Sequence, residues 1–306
     1  MTAGGLSIID VGSNSTNHLL VDRYGAMQER TVVSTRLAQG LHRNGVLSDD
    51  GIRRTVEAVA RHVGSARTAG AERILVVGTA ACRRAGNTRE LADAILESTG
   101  LHLDVLSETE EARASFAGAL ADLPDTPGAT LVVDIGGGST EYAVGRAEPD
   151  IVASIPFGAV TSTDTHLGSD PPRPEDLTNL IGAVTDEIEE LCRESPAFDS
   201  FSRVVGVAGT ITTVAAVELG LPSFDATRIH GMSLTRAAAE DVFRTVATEP
   251  LRQRRLNPGL DDSRADIIVA GCCILVATMR RLRLEEMVVS VGGLLDGIAL
   301  RERLTG

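Results

Sequence analysis

Short apolar runs bounded by small or polar residues alternate along the chain with amphipathic stretches at helical spacing. Leu6 to Asp10, His18 to Asp22 and the segment from Met27 to Leu37 read as three successive strands. A helix is predicted over Asp50–Arg67, because Ile52, Val56, Val59 and Val63 fall on one face. A strand at Arg73–Val77, a helix at Thr88–Ser98, a strand at His102–Leu106 and a helix at Glu108–Ala121 follow. Asn87, with Glu90 three residues on, has the spacing of a capping box for the second of these helices.

The second half restates the order. Strands at Thr130–Asp134, Glu141–Gly145 and Ile151–Pro156 precede a long helix over Glu175–Arg193. Its Leu177, Ile181, Val184, Ile188 and Leu191 form an apolar stripe. A strand at Arg203–Val207 leads through Gly209 into a helix starting near Thr210. Helices at Thr235–Thr248 and Ser263–Arg281, a strand at Met287–Ser290 and a last helix after Gly292-Gly293 complete the chain. This doubled α/β layout is that of two similar actin-like (ribonuclease H-like) domains with a ligand cleft between them. The Pro124-to-Gly128 stretch is the natural hinge. It divides the chain into an N-terminal domain, residues 1–123, and a C-terminal domain, residues 124–306, whose last helix can pack back towards the first.

Composition narrows the function. With 306 residues there is room for two cores. No apolar run reaches a membrane-spanning length, and the N-terminus enters a strand without a signal-peptide pattern. A cytoplasmic protein without a membrane partner is expected. A net charge of −13 argues against nucleic acid as the main ligand. The chain contains no lysine, which excludes a P-loop lysine and Schiff-base chemistry. Cys82, Cys192, Cys272 and Cys273 lack metal-site spacing and read as buried free thiols. Cys82, beside the basic Arg83-Arg84 pair, keeps the alternative of a reactive thiol.

One local pattern occurs twice, as Asp10-Val-Gly-Ser-Asn-Ser-Thr16 and as Asp134-Ile-Gly-Gly-Gly-Ser-Thr140. Each follows one apolar run and precedes another, so each reads as a hairpin with a turn of small residues. Such a turn lets backbone N–H groups and hydroxyls approach phosphate, while a strand-end aspartate can hold a cation. Ser13, Asn14 and Ser15 of the first turn, with Gly136, Gly137, Gly138, Ser139 and Thr140 of the second, are therefore the candidate phosphate ligands.

These motifs, together with Thr79-Ala-Ala-Cys-Arg83, Glu108-Thr-Glu-Glu-Ala-Arg113, Arg228-Ile-His-Gly231 and Arg264-Ala-Asp-Ile267, resemble in order those of the exopolyphosphatase/guanosine pentaphosphate phosphohydrolase (Ppx/GppA) family. The resemblance implies hydrolysis of a terminal phosphoanhydride of polyphosphate, with pppGpp or a related guanosine tetraphosphate as the alternative ligand. It implies Glu111 as the catalytic carboxylate, Arg83 as a phosphate clamp, and Asp134, Glu141 and Asp10 around Mg²⁺ or Mn²⁺. Gly206–Thr210 and Ser290–Gly293 resemble the adenosine-holding turns of nucleotide-binding relatives of the fold. They read here mainly as strand-to-helix turns, and a kinase, an ATPase or a non-catalytic polyphosphate sensor stays open. Arg264 and Asp266 are read as opening an apolar helix, with a structural and a functional role both open.

The chain departs from the family pattern in two places. The family commonly carries a basic residue near Asn17, whereas here His18 lies one position on. The last helix begins Gly293-Leu-Leu-Asp-Gly297 and lacks the family's arginine. The end at Gly306, without further helical domains, leads to the expectation of short polyphosphate substrates. A homodimer is left open.

Overall fold

The computed structural model describes residues 5–304. Packing divides the chain into two units, one running to Gly118 and resuming at Leu294, the other spanning Ala119–Gly293.

In the first unit, β1 (Gly5–Val11), β2 (Ser15–Val21) and β3 (Met27–Ser34) form an antiparallel meander. After the short α1 (Leu41–Asn44) comes α2 (Asp49–Thr68), which leads into β4 (Ala71–Gly78). The short α3 (Ala80–Arg84) and α4 (Thr88–Thr99) then lead to β5 (Leu103–Val105) and α5 (Glu108–Leu120). The sheet order is β3-β2-β1-β4-β5, with β4 parallel to β1 and β5 parallel to β4. A meander followed by parallel strands is the topology expected of one actin-like domain.

The second unit opens with the same meander, β6 (Thr130–Ile135), β7 (Thr140–Gly145) and β8 (Pro149–Ile155). It continues through α6 (Ala159–His166), α7 (Pro174–Glu194), β9 (Arg203–Val207), α8 (Ala208–Glu218) and α9 (Ala226–Ile229). After β10 (Ser233–Thr235) follow α10 (Arg236–Thr248), α11 (Leu251–Arg254), α12 (Ile268–Arg281) and β11 (Glu286–Val289). The order is β10-β11-β9-β6-β7-β8. The added β10 runs antiparallel to β11, so the second sheet is not a plain copy of the first. Every residue of α12 from Ile268 to Met279 is buried, as its all-round apolar composition requires. α12 packs against α7, whose buried line is Leu180, Val184, Ile188 and Cys192. The expected Leu177, Ile181 and Leu191 flank that line half-buried.

The last helix, α13 (Leu294–Leu304), packs on β1 and β2 of the first unit. Its Leu295, Ile298 and Ala299 join Leu6, Ile8, Leu19 and Val21 in one apolar cluster. Gly297 is the point of closest approach: a Cβ there would collide with the Ala114 carbonyl of α5. Ion pairs of Arg30 with Asp296 and of Arg73 with Glu302 seal the same helix at its rim.

Two local expectations are corrected. Asn87 does not cap α4. Its side chain instead bonds both backbone groups of Leu47, accepting from the N–H at 2.8 Å and donating to the carbonyl at 3.1 Å. The run Ser263–Ile267 is a series of turns and α12 begins at Ile268, because Asp261 accepts from the Ser263 backbone and holds the chain out of the helix. Among the described residues no helix is long and apolar enough to cross a membrane. All four cysteines are buried and free.

Candidate active site

The two hairpins match residue by residue. In the first, the Gly12 N–H donates to the Ser15 carbonyl at 3.0 Å; in the second, Gly136 donates to Ser139 at 3.0 Å. Asp10 lies opposite Asn17 in the β1–β2 ladder, as Asp134 lies opposite Glu141 in β6–β7. Residues directly opposite in an antiparallel pair project from the same face. Asp134 and Glu141 therefore present two carboxylates side by side, and Glu141 accepts from the Ser154 hydroxyl at 3.0 Å. In the first hairpin an amide replaces the second carboxylate: Asn17 Nδ2 donates to Asp10 Oδ2 at 2.8 Å.

Different contacts brace the two turns. The Asn14 carbonyl accepts from the N–H groups of Thr35 and Arg36, and the Ser13 carbonyl from that of Ala38. The Gly136 carbonyl accepts from Ala159, and the Gly137 carbonyl from Val160 and Thr161, so the first turn of α6 is seated on the glycine loop. Gly158 allows this close approach. A Cβ on it would lie 2.5 Å from the Gly137 oxygen and the Gly138 nitrogen.

The hydroxyls divide sharply. Thr140 donates to the Phe157 carbonyl at 2.7 Å, and Ser15 donates to Asn17 Oδ1 at 3.1 Å. The Asn14 side chain is buried. The Ser13 and Ser139 hydroxyls make no hydrogen bond among the described residues, which leaves them available to a phosphate oxygen.

Glu111 and Arg83 meet although they are 28 residues apart in sequence. Arg83 lies in the last turn of α3, which follows the carboxyl end of β4; Leu106 and Glu111 follow the carboxyl end of β5. Arg83 Nη1 donates to Glu111 Oε2 at 2.5 Å and to the Leu106 carbonyl at 2.9 Å. Their side chains are 16% and 13% exposed, so the pair is largely shielded. Nε and Nη2 of Arg83 carry no hydrogen bond among the described residues, and that fork has the shape to grip a phosphate. Glu110 is spent otherwise. Its carboxylate accepts from the Ser107 N–H and hydroxyl at 2.9 and 2.7 Å, closing a capping box at the start of α5. The Ser107 hydrogen bonds hold Glu110 below the usual carboxylate range.

Cys82 lies within electrostatic reach of Asp10, Arg83 and Glu111. Burial, followed by the charge of Asp10, pushes its thiol up to about 12. A thiol held that far from ionisation is no nucleophile. Asp10, the last residue but one of β1, lies opposite Val77 of β4, so the whole set stands at the carboxyl ends of parallel strands, where open α/β sheets bind ligands.

Among the described residues no cluster of three His, Cys, Asp or Glu side chains is spaced to hold a metal ion. The Asp134–Glu141 pair nonetheless supplies hard oxygen donors suited to Mg²⁺ or Mn²⁺, an ion that takes one or two carboxylates and completes its shell with water and substrate phosphate. His18 does not replace the missing basic residue. Strand alternation turns it to the other face of β2, where it is fully buried against His62. Arg264 lies against the backbone of Gly209, so that turn is occupied by a side chain of the chain itself. The α6 brace and the Leu106 carbonyl went unforeseen, and Asn17 stood out only as a departure from the family pattern. Only Asn17 had a local signal: it stands seven positions after Asp10, as Glu141 stands after Asp134.

A family model described as the Ppx/GppA phosphatase family matches residues 20–305. Exopolyphosphatase 2 of Mycobacterium tuberculosis is 30% identical, over 96% of this chain and 97% of that protein. The guanosine-5'-triphosphate,3'-diphosphate pyrophosphatase of Vibrio atlanticus is 29% identical over 95% of this chain, which spans 58% of that longer protein. The crystal structure of the Aquifex aeolicus Ppx/GppA family member aligns with a TM-score of 0.81 at 29% identity, covering 99% of this chain and 98% of that one.

Proposed function

Because the chain belongs to the Ppx/GppA phosphatase family and is a phosphoanhydride hydrolase, we propose that it removes the terminal phosphate of linear polyphosphate, aided by a divalent cation. The observation that carries this reading is the shielded Arg83–Glu111 pair at the strand ends, with the outer fork of Arg83 unspent.

Glu111 holds a water and takes its proton as the water oxygen bonds to the terminal phosphorus. The bridging P–O bond breaks, and the shortened chain leaves on its own oxygen. Arg83 fixes the Glu111 carboxylate through Nη1 and grips a non-bridging phosphate oxygen through Nε and Nη2. Positioning and charge neutralisation of this kind supply most of the catalysis in phosphoryl transfer. The Ser13 hydroxyl and the N–H groups of its own turn would hold further phosphate oxygens. Asp134 and Glu141 would hold a divalent cation, which would supply positive charge to offset that of a phosphate.

A second reading, hydrolysis of the terminal phosphate of pppGpp, is favoured by the similarity to the Vibrio atlanticus protein. It uses the same reacting groups and differs only in what grips the rest of the substrate. Phosphate release from tripolyphosphate, long-chain polyphosphate, pppGpp and ATP, with and without Mg²⁺ or Mn²⁺, tests both. Metal-dependent release from a polyphosphate in excess of the other substrates supports the first reading. Faster turnover of pppGpp moves the assignment to the second, and turnover of ATP alone contradicts both.

A further inference from the structure

The paired hairpins share the turn hydrogen bond, the ladder register and the leading aspartate, yet differ in the residue opposite that aspartate. The second hairpin places Glu141 opposite Asp134. The first places Asn17 opposite Asp10. The amide is engaged at both ends: Nδ2 donates to Asp10 Oδ2 at 2.8 Å, and Oδ1 accepts the Ser15 hydroxyl at 3.1 Å. Those two bonds set the direction of the chain Ser15→Asn17→Asp10. They also fix which end of the amide faces the carboxylate, since only its NH₂ group can donate.

We propose that Asn17 is a positioning residue that locks the Asp10 carboxylate as an oriented acceptor and keeps the first hairpin from holding a divalent cation, so that cation binding belongs to the second hairpin alone. A cation beside Asp10 would face the NH₂ group of Asn17, a donor that offers no lone pair to a metal. Beside Asp134 it faces a second carboxylate. The expectation that Asp10 shares the metal with Asp134 and Glu141 is replaced by a division of labour. Asp10 orients water or a protonated phosphate oxygen near Arg83 and Glu111, and the ion stays with β6–β7. The same lock commits the Ser15 hydroxyl hydrogen to Asn17, leaving Ser13 as the hydroxyl donor of the first turn.

This inference rests on the hydrolase reading for what Asp10 does, but its cation claim stands apart from turnover. The test is a Mn²⁺ titration of the metal-free chain at pH 8, followed by electron paramagnetic resonance, with wild type, Glu141→Gln and Asn17→Asp. Asn17→Asp is nearly isosteric and recreates the two-carboxylate pattern of the second hairpin. Facing carboxylates so close repel unless a cation or proton sits between them. Wild type should lose its bound Mn²⁺ on Glu141→Gln, and Asn17→Asp should bind one ion more than wild type. An unchanged count in Asn17→Asp, or an unchanged count in Glu141→Gln, overturns the proposal.

Asn17→Ala supplies the second arm. A hydrogen bond to a charged group is lost, so kcat should fall roughly tenfold to hundredfold while KM for tripolyphosphate stays within about threefold. A parallel rise in KM with kcat intact would make Asn17 an ordinary substrate contact and also overturns the proposal. If wild type hydrolyses neither polyphosphate nor pppGpp, the functional reading fails while the Mn²⁺ count still decides this one.

Discussion

Arg83 Nη1 reaches Glu111 Oε2 at 2.5 Å, and the same nitrogen donates to the Leu106 carbonyl at 2.9 Å. Nη1 is thus tied to the protein, and in the proposed mechanism the rest of the guanidinium grips substrate. A lysine could pair with Glu111 but could not span both sides. Arg83→Lys should lower kcat/KM about 10- to 100-fold with little change in melting temperature. Arg83→Ala strands a shielded carboxylate and should also cost about 1–3 kcal/mol of stability by urea denaturation. Equal activity in Arg83→Lys and wild type contradicts the clamp.

Adjacent glutamates should separate cleanly. Glu110 closes the capping box with Ser107 and Glu111 faces Arg83. Glu110→Gln should retain turnover within about twofold, and Glu110→Ala should lose about 0.5–1 kcal/mol from the start of α5. Steady-state kinetics and denaturation of the two variants measure this directly.

Gly158 is required by the backbone pressed against it. Gly158→Ala puts a methyl group into the Gly137–Gly138 peptide. The variant should be less stable by about 1–3 kcal/mol, and its KM for polyphosphate should rise several-fold because the displaced loop carries Ser139. Differential scanning calorimetry and kinetics together check both effects.

Acid should destabilise the first unit through His62. His18 and His62 are buried with ring centroids 4.9 Å apart, and Ser7, Glu29, Thr31, Arg61 and the Thr16 backbone are among the polar groups around them. Burial, then the charges of His18 and Arg61, lowers His62 to about 4, with Glu29 opposing. Burial also lowers His18. The unfolded chain binds the proton first, near the ordinary value of 6.5. Stability from neutral His62 is therefore fully present above 6.5, declines as pH falls, and is exhausted below about 4. The total is on the order of 1–3 kcal/mol. Melting temperature between pH 7 and pH 4 should fall less steeply in His62→Leu than in wild type.

Much of this was readable from the sequence, and particular residues show why the rest was not. The hairpins were legible because a strand-end aspartate followed by small residues is a local signal. The Glu111 assignment depended on resemblance, although Ser107-x-x-Glu110 is a capping box written in the sequence that already sets Glu110 aside. The reach of Arg83 to Glu111 was not legible, since it depends on β4 and β5 standing side by side. α6 was missed because Ala159–His166 has three threonines and no apolar stripe; it is held by the glycine loop it caps. Asn17 stood out only as a departure from a family pattern, and the ladder register gave it a role.

The central claim is that Glu111 delivers water to the terminal phosphorus of a polyphosphate. Hydrolysis of tripolyphosphate in ¹⁸O-labelled water, comparing wild type with Glu111→Gln, tests it most directly. Wild type should release orthophosphate that carries one solvent oxygen. Glu111→Gln should still bind tripolyphosphate while its release rate falls about 10²- to 10⁴-fold. Release by Glu111→Gln at the wild-type rate, with the same labelling, would contradict the account.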